Sequence, residues 1–384
     1  MPDRYATLVT DLLAKADIAI GGTRPWDIAV RDARFYKRAI AGGSIGLGES
    51  FMDGWWDCPA LDQAIARMLD ANLQNHIKLK AWMAADIARE LLPNLAYDWP
   101  GLRPFLSRFR SYRAVAETHY EAGNDFYTVL LDPRMIYSCA YWADAKTLDE
   151  AQEAKLALSC RKLDLKRGMR VLDIGCGWGG FAKYAAENFG VSVTGYTISA
   201  EQRERAMAVC RGLPVDIRLD DYRNITGRYD RVASFGMFEH VGRDNYPAYM
   251  HVVYGSLSDD GLFLLETIGD NLSRSHCNAW FQKYIFSAPT SMFPSIKEIS
   301  SAAEGLFTVE DWHNFGADYA PTLRAWHDNL VAHRDWIVGR YGERFYRMYV
   351  FYILSCAGAF AARIYQNWQV LLAKHGLAEG FRAR

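Results

Sequence analysis

The sequence lacks several features that would assign it to a protein class at once. Its 384 residues contain seven cysteines, none in a CxxC pair, so we expect no disulfide framework, no metal site and a reducing cytoplasm. The longest uncharged apolar run, Val350–Ala362, is shorter than the ~20 residues that a membrane-spanning helix needs. Asp3 and Arg4 stand where a signal peptide would be apolar, so we expect no secretion.

An excess of charge of one sign is also missing. The 44 lysines and arginines balance 45 aspartates and glutamates, for a net charge of −1. Proteins that bind nucleic acid through its phosphates usually carry a strongly basic surface, so we expect no nucleic-acid partner. Aromatic residues, in contrast, are abundant at 14% of the chain. They indicate either a well-filled core or a pocket for an apolar or cationic ligand.

Residue patterns divide the chain into three segments. Residues 1–100 read as a helical domain, with glycine and proline clusters such as Gly42–Gly48 breaking the helices. Residues 101–117, rich in arginine and containing proline, read as a linker, and residues 118–384 as the catalytic domain. Short apolar runs alternate with helical stretches from Val171 onward, which predicts an α/β fold with a parallel sheet. Further along, Pro321–Arg340 and Arg344–Leu372 are predicted to form long helices.

A glycine-rich turn follows the first predicted strand of this sheet. In VLDIGCGWGG (Val171–Gly180) the strand carries Asp173 near its end, and Gly175, Cys176 and Gly177 lead into a helix. Glycines let the backbone approach a ligand, and the helix N-terminus presents N–H groups to it. The spacing is neither that of dinucleotide folds nor that of a phosphate-binding loop. S-adenosylmethionine is the better fit; a tight turn without a ligand is the alternative.

Polar groups also follow the next two predicted strands. Thr197, Ser199 and Gln202 begin a helix after VSVTGY, and Asp221 and Tyr222 follow VDIRL. Ligands of open α/β sheets bind at the carboxyl ends of the strands, so these residues are candidates to contact the same cofactor, with Tyr222 facing its adenine. Ordinary helix capping is the alternative for each of them.

Several motifs together resemble the cyclopropane-fatty-acyl-phospholipid synthases. This resemblance runs from about Phe35 to Leu372 and implies a class I methyltransferase fold, with a seven-stranded, mostly parallel sheet, flanking helices and a smaller, mainly helical N-terminal domain. It implies S-adenosylmethionine as methylene donor, an unsaturated acyl chain of a membrane phospholipid as acceptor, and a homodimer. The motifs are GSIGLGESFMDGWWD, YSCAYW (Tyr137–Trp142), VLDIGCGWGG, TISAEQ, GMFEHVG (Gly236–Gly242) and WHNFGADY (Trp312–Tyr319).

The resemblance also implies a bicarbonate ion beside the cofactor. Its ligands would be Cys139, Glu239, the backbone of Ile268, and Tyr319. A histidine of the family pattern is replaced here by Glu266. Glu266 can repel the anion, act as the base in its place, or be protonated and donate a hydrogen bond to it; we favour the second.

Methylation of an alkene requires excluded water and a site that tolerates a carbocation. Aromatic faces stabilise cations without attacking them, and Tyr137 and Tyr319 are the first candidates for this role, with core packing as the alternative. Tyr137 and Ser138 are also assigned to the cofactor. A different base could give a methyl-branched or methylene acyl product. The sequence is also compatible with a methyltransferase for a soluble molecule and with a non-catalytic lipid- or cofactor-binding protein.

The acyl substrate implies contact with the inner face of a membrane. Basic residues interleaved with aromatic ones suit anionic headgroups, and an ordinary solvated face is the alternative. The candidates in the N-terminal part are Phe35, Tyr36, Lys37, Arg38, Phe51, Met52, Trp55 and Trp56, and those in the linker are Arg103, Arg108, Arg110 and Arg113.

Overall fold

The computed structural model describes residues 3–77, 80–91, 94, 123–274, 278–286 and 291–382. The chain forms two compact units that interleave along the sequence. The first comprises Met1–Ser111, Ser275–Pro289 and Leu323–Ile364, and the second comprises Tyr112–Arg274, Thr290–Thr322 and Tyr365–Arg384. The segment 118–384, predicted to be one catalytic domain, therefore contributes to both units. The predicted linker 101–117, with its four arginines, lies outside the described residues.

The first unit is mainly helical. Its two short strands, β1 (Ala29–Val30) and β2 (Trp56–Asp57), pair antiparallel. Its first helix begins where the Asp3 side chain accepts a hydrogen bond from the Tyr5 N–H. The helices are Arg4–Lys15, Arg34–Ala41, Gly43–Met52, Leu61–Asp70, Leu73–His76, Ala84–Leu91, Ala279–Tyr284, Arg334–Tyr341 and Glu343–Ala361, with a 3₁₀ turn at Ala81–Met83.

The start of the glycine cluster at Gly42–Gly48 breaks the helices as predicted, because helix Arg34–Ala41 ends just before Gly42 and helix Gly43–Met52 begins after it. The rest of the cluster lies inside helix Gly43–Met52. Its glycines serve close packing. A Cβ atom at Gly48 would lie 2.3 Å from Nε1 of Trp280, and one at Gly46 would lie 2.0 Å from the carbonyl oxygen of Arg38. No side chain fits at these positions, so glycine is retained despite its low helix propensity.

Half of the predicted membrane-facing residues of this unit, namely Phe35, Phe51, Met52 and Trp56, are buried in its core, and the prediction is wrong for these four. Phe35 and Trp56 are fully buried, and the Phe51 ring packs edge-on against Trp56 at 5.1 Å between centroids. The two basic residues of the set are engaged in ion pairs, Lys37 with Asp86 and Arg38 with Glu49. Aromatic residues alternating with basic ones here reflect core packing beside surface ion pairs. Met52 is likewise buried.

The second unit contains a seven-stranded sheet in the order β5-β4-β3-β6-β7-β9-β8, as predicted for the fold class. Strands β3 to β7 are parallel, and β9 is antiparallel to both of its neighbours. The strands are β3 (Arg170–Ile174), β4 (Ser192–Thr197), β5 (Val215–Leu219), β6 (Tyr229–Phe235), β7 (Leu257–Asp270), β8 (Thr308–Asn314) and β9 (Tyr365–Ala373).

Helices cover both faces of this sheet. Successive residues of β3 enter opposite core clusters, Leu172 on one face and Val171 on the other. The α-helices are Gly123–Leu130, Leu148–Lys162, Gly180–Phe189, Ala200–Val209, Phe238–Val241, Tyr246–Ser256 and Ile296–Ala303, with 3₁₀ turns at Tyr222–Asn224, Arg243–Asn245 and Gly316–Asp318; Tyr319–Ala332 begins in this unit and continues in the first.

Two predictions for the C-terminal part are wrong. The helix predicted over Arg344–Leu372 ends at Ala361, and Tyr365–Ala373 forms strand β9. Nearly all of β9 is buried, because it lies between β7 and β8. A strand buried on both faces has no alternating pattern and cannot be told from a buried helix by periodicity. Pro321–Arg340 is divided between Tyr319–Ala332 and Arg334–Tyr341.

Candidate active site

The glycine-rich turn forms a backbone cradle at the carboxyl end of β3. Gly175, Gly177 and Gly179 have φ angles of +81°, +52° and +84°, a region that favours glycine. A Cβ at Gly175 would also lie 2.8 Å from Cγ of Met237. Helix Gly180–Phe189 begins directly after the turn, so its first N–H groups lie beside the cradle. Cys176 is buried there, and burial raises its thiol pKa well above the ordinary value.

Asp173 lies on β3 beneath this cradle. It is 1% exposed, and within the described part of the chain neither carboxylate oxygen has a hydrogen-bond partner. Burial raises its pKa to about 7. Buried acceptors are normally satisfied, so two orphaned oxygens indicate a donor supplied by a ligand. A cationic ligand with amine and hydroxyl donors, such as S-adenosylmethionine, fits this cradle.

The residues that follow β4 and β5 include helix-capping groups as well as candidate ligand contacts. Ser199 caps helix Ala200–Val209 by accepting the Gln202 N–H at 3.3 Å, while the Thr197 hydroxyl donates to Oε1 of Gln202 at 2.9 Å. Asp221 accepts two hydrogen bonds from the Arg223 guanidinium. Tyr222 is buried, with its ring 5.2 Å from that of Tyr249. The capping alternative thus holds for part of this set, and contact with the cofactor stays a prediction.

The loop that carries Tyr137 and Ser138 is held by helix Leu148–Lys162. Gln152 donates from its amide nitrogen to the Ser138 carbonyl oxygen at 3.0 Å. Lys155 donates from Nζ to the Ser138 hydroxyl at 2.7 Å. The Tyr137 ring lies 5.2 Å from that of Tyr127. This loop is therefore fixed by buried hydrogen bonds.

Sequence reasoning missed Gln152 and Lys155, although a signal for them exists. Gln152, Lys155, Ser159 and Lys162 follow one another at intervals of three or four residues, which places them on one helical face. All four are at most 1% exposed. Such a buried polar stripe predicts polar contacts inside the protein, and two of its members, Gln152 and Lys155, contact the Ser138 loop.

Cys139 and Glu266 lie in the same buried region. Burial raises the pKa of the Cys139 thiol well above its ordinary value, and the charge of Glu266 adds to this effect. Oε2 of Glu266 accepts a hydrogen bond from Nε2 of Gln369 on β9 at 2.9 Å. Oε1 of Glu266 has no hydrogen-bond partner among the described residues and lies 3.8 Å from Nζ of Lys155. Cys139 is thus a neutral thiol beside a carboxylate with one open oxygen.

Glu239 is joined directly to Ile268. Its Oε1 accepts the Ile268 N–H at 2.6 Å, whereas Oε2 has no partner in the described ranges. Burial, with a smaller contribution from the negative charge of Glu266, raises the pKa of Glu239 to about 7. Tyr319 is buried at the start of helix Tyr319–Ala332. Four of the five predicted catalytic residues are therefore coupled by a hydrogen bond or by charge: Cys139, Glu239, Glu266 and Ile268.

The arrangement can bind a cation and accept a proton. Asp173, Glu239 and Glu266 are buried carboxylates, each with at least one oxygen that has no hydrogen-bond partner among the residues that the structure describes. Within the described residues, no group of three or more histidine, cysteine or acidic side chains is placed to hold a metal ion. The same part of the chain contains no helix long and apolar enough to cross a membrane.

Comparison with known proteins assigns the family. Residues 107–370 match the family model described as mycolic acid cyclopropane synthetase. The cyclopropane-fatty-acyl-phospholipid synthase of Escherichia coli strain K12 is 47% identical over 380 residues, which cover 99% of this chain and 96% of that protein. The sphingolipid C9-methyltransferase of Candida albicans is 35% identical over 298 residues, and the matched region covers 67% of this chain and 57% of that protein.

Solved structures agree with this assignment. The mycolic acid cyclopropane synthase CmaA1 complexed with SAH and CTAB is 31% identical, with a TM-score of 0.64 over 70% of this chain and 100% of that one. Coclaurine N-methyltransferase, at 23% identity and a TM-score of 0.66, shares the fold. The chain therefore belongs to the mycolic acid cyclopropane synthetase family and is an S-adenosylmethionine-dependent methyltransferase of the cyclopropane synthase type.

Proposed function

We propose that this enzyme adds the methyl carbon of S-adenosylmethionine to the cis double bond of an unsaturated phospholipid acyl chain and closes a cyclopropane ring. The observation that carries the proposal is the set of buried carboxylate oxygens, on Asp173, Glu239 and Glu266, that have no partner among the described residues, together with the glycine cradle at the end of β3. The name of the E. coli relative, which is 47% identical, supports the phospholipid as acceptor. When bound, S-adenosylmethionine supplies an electrophilic methyl group.

The chain's own residues prepare the site for this electrophile. The backbone of Gly175 and Gly177 allows close approach, and Asp173 provides acceptors for the ligand's donors. Burial of Cys139 and Glu239 excludes water, which would otherwise compete with the weakly nucleophilic alkene. The ring of Tyr137 is assigned to stabilise positive charge on the acyl chain.

The residues present do not suit a bicarbonate ion. The Ile268 N–H, its predicted backbone donor, already donates to Glu239. The anion would also face Glu239 and Glu266, and like charges in a buried site repel strongly. The family histidine that would donate to it is absent from this sequence. We therefore assign no step to bicarbonate.

Glu266 supplies the base in our proposal. Its Oε1 is unpartnered, so a lone pair is open to accept a proton from the added methyl carbon. Loss of that proton leaves the electron pair that closes the ring onto the neighbouring cationic carbon. Gln369 holds the other carboxylate oxygen and fixes the orientation of the group. Glu239 keeps the Ile268 backbone in place.

The test measures S-adenosylmethionine turnover on vesicles of unsaturated phospholipid, with and without bicarbonate. We expect the unmodified enzyme to be indifferent to bicarbonate depletion and Glu266→Gln to lose roughly 100-fold or more in rate. Glu266→His is expected to make activity depend on bicarbonate. Nuclear magnetic resonance of the acyl product should show high-field cyclopropyl protons. Bicarbonate dependence of the unmodified enzyme with full activity of Glu266→Gln would refute the role of Glu266, and vinylic protons would refute the cyclopropane product.

Peripheral membrane contact on the cytoplasmic side is part of the proposal, because a bilayer acyl chain cannot be reached from bulk water. With Phe35, Phe51, Met52 and Trp56 in the core, the remaining sequence-derived candidates are the half-buried Tyr36 and Trp55 and the linker arginines. The measurement is co-sedimentation of an Arg103→Glu/Arg108→Glu/Arg110→Glu variant with anionic vesicles, where unchanged binding excludes these residues. A homodimer, which the family resemblance implies, is tested by light scattering.

A further inference from the structure

Lys155 is a buried lysine at the centre of helix Leu148–Lys162. It is 1% exposed, although lysine is almost never fully buried unless it is paired. Its Nζ donates to the Ser138 hydroxyl at 2.7 Å and lies 5.1 Å from the centroid of the Phe235 ring. It lies 3.8 Å from Oε1 of Glu266. One ammonium group thus faces both the predicted cofactor loop and the proposed base.

We propose that Lys155 is a positioning residue for this reaction, which keeps Glu266 ionised while leaving its Oε1 open and which holds the Ser138 loop in place. The inference rests on the proposed role of Glu266. It concerns a residue outside the motifs that carry the family resemblance.

The distances around Nζ explain how Lys155 can hold the Ser138 loop and compensate the charge of Glu266 at the same time. The ammonium gives a hydrogen bond to Ser138, not to Glu266, because 3.8 Å is beyond hydrogen-bond range. Coulomb attraction does not require that bond, and the ammonium lies close enough to Oε1 for its charge to stabilise the carboxylate. Glu266 is therefore compensated electrically, while Oε1 keeps a lone pair for an incoming proton.

Other groups around Glu266 make this compensation necessary. Glu239 is a like charge that repels Glu266. Cys139 is a buried neutral thiol, and the negative charge of Asp318 also raises its pKa. Gln369 is a neutral donor on β9. Lys155 provides positive charge to this set, and it also acts favourably on ionised Asp173. Without it, Glu266 would be a buried negative charge held by one amide, and an unpaired buried charge is costly.

The experiment compares two buried lysines of the same helix. Lys162 is 0% exposed, lies 3.0 Å from Oδ2 of Asp311 and 3.1 Å from Nδ1 of His313, and is absent from the proposed machinery. Lys155→Met and Lys162→Met should both lower the melting temperature. Lys155→Met should move the acidic limb of the kcat–pH profile up by about one unit or more and lower kcat near pH 7 at least about tenfold. Lys162→Met should leave the profile in place.

Conservative and paired variants complete the test. Lys155→Arg should keep the pH profile closer to that of the unmodified enzyme than Lys155→Met does. If Lys155→Met does not fold, folding of Lys155→Met/Glu266→Gln would support the pairing, since that variant removes both charges; failure of both to fold would contradict it. An unshifted profile in Lys155→Met also overturns the inference.

The failure of this inference is distinguishable from failure of the proposed function. Full activity of Glu266→Gln would remove Glu266 as the base, whatever Lys155 does. An inactive Glu266→Gln combined with an unshifted profile in Lys155→Met would leave the base in place and remove only the role of Lys155.

Discussion

Two buried glutamates, one in each unit, have pKa values that are shifted in opposite directions. Glu49 in the helical unit accepts hydrogen bonds from Arg38 at 2.5 Å, from Lys283 at 2.6 Å and from Tyr284 at 2.6 Å. Burial would raise its pKa, but these donors and charges outweigh burial and lower it. Burial raises the pKa of Glu239 in the sheet unit to about 7, because it outweighs the hydrogen bonds from the Ile268 N–H and from Thr267 that lower this pKa.

The difference shows that burial alone does not identify a functional carboxylate. Both side chains are shielded from solvent, at 6% and 3% exposure, but Glu239 lies deeper in the protein, so burial depth and partners together make the difference. Glu49 is saturated and links helix Gly43–Met52 to Ala279–Tyr284 within its unit. Glu239 keeps an open oxygen. A buried carboxylate short of donors costs stability, and such sites are frequently those that a ligand or reaction completes.

The largest effect that the comparison predicts is on catalysis. We expect Glu239→Gln to reduce kcat about 100-fold, because the neutral amide removes negative charge that stabilises the cationic acyl chain, while Glu266 remains the base. Its melting temperature should be unchanged or higher, since an amide costs less to bury than an underpartnered carboxylate. Turnover assays and thermal unfolding measure both. Activity within tenfold of the unmodified enzyme would contradict a catalytic role for Glu239.

The opposite outcome is expected for Glu49→Gln. Removing the charge leaves Arg38 and Lys283 without their carboxylate, and breaking such a network costs about 3 kcal/mol. Both cations are about a quarter exposed, so water can partly solvate them, and we expect a cost near the lower end of the range for breaking a buried ion pair. Urea unfolding measures the loss, while turnover below the melting temperature should stay within about twofold. A loss of turnover without loss of stability would break the comparison.

The two carboxylates should also respond to pH in opposite directions. The folded-state pKa of Glu239, about 7, lies above its ordinary value of 4.5. The folded protein therefore holds the proton more tightly, and this group lowers stability by about 3 kcal/mol as pH rises from 4.5 through 7. Glu49, with a lowered pKa, contributes stability above its ordinary pKa that is lost as pH falls through the lowered one.

Unfolding free energies of the unliganded protein between pH 4 and 8 check this prediction. Glu239→Gln should gain stability over the unmodified protein as pH rises past 5, whereas the deficit of Glu49→Gln should shrink toward pH 4. Parallel curves for the three proteins would show that neither shift is present.

A smaller effect concerns the cradle. Gly175→Ala forces a left-handed φ on alanine and places its Cβ 2.8 Å from Met237, so S-adenosylmethionine affinity should fall roughly tenfold with about 1 kcal/mol lost in stability. Gly168→Ala is the matched control, because Gly168 has a φ of +87° with open space around it. It should lose similar stability and keep cofactor affinity, as measured by calorimetry. Equal cofactor affinities of the two variants would contradict the proposed role of Gly175 in binding S-adenosylmethionine.

The sheet and the cradle were predictable because their signals are local. Strands β3 to β6 are short apolar runs bounded by turns, and three left-handed glycines mark the turn after β3. Strand β9 was missed because burial on both faces removes the alternation that identifies a strand. Helix Gly43–Met52 was missed because its glycines serve contacts with Arg38 and Trp280, which lie in two other helices.

The candidate site likewise has a part that the sequence predicts and a part that depends on tertiary contacts. Glu239, Glu266 and Cys139 belong to motifs that can be read along the chain, and so does the replacement of histidine by Glu266. Their charge states cannot be read there. Lys155 approaches Glu266 across 111 positions, Gln369 across 103, and Ile268 approaches Glu239 across 29. Residue order sets which chemical groups are present, but pKa depends on burial and on neighbouring charges, and folding alone brings those neighbours within a few ångströms.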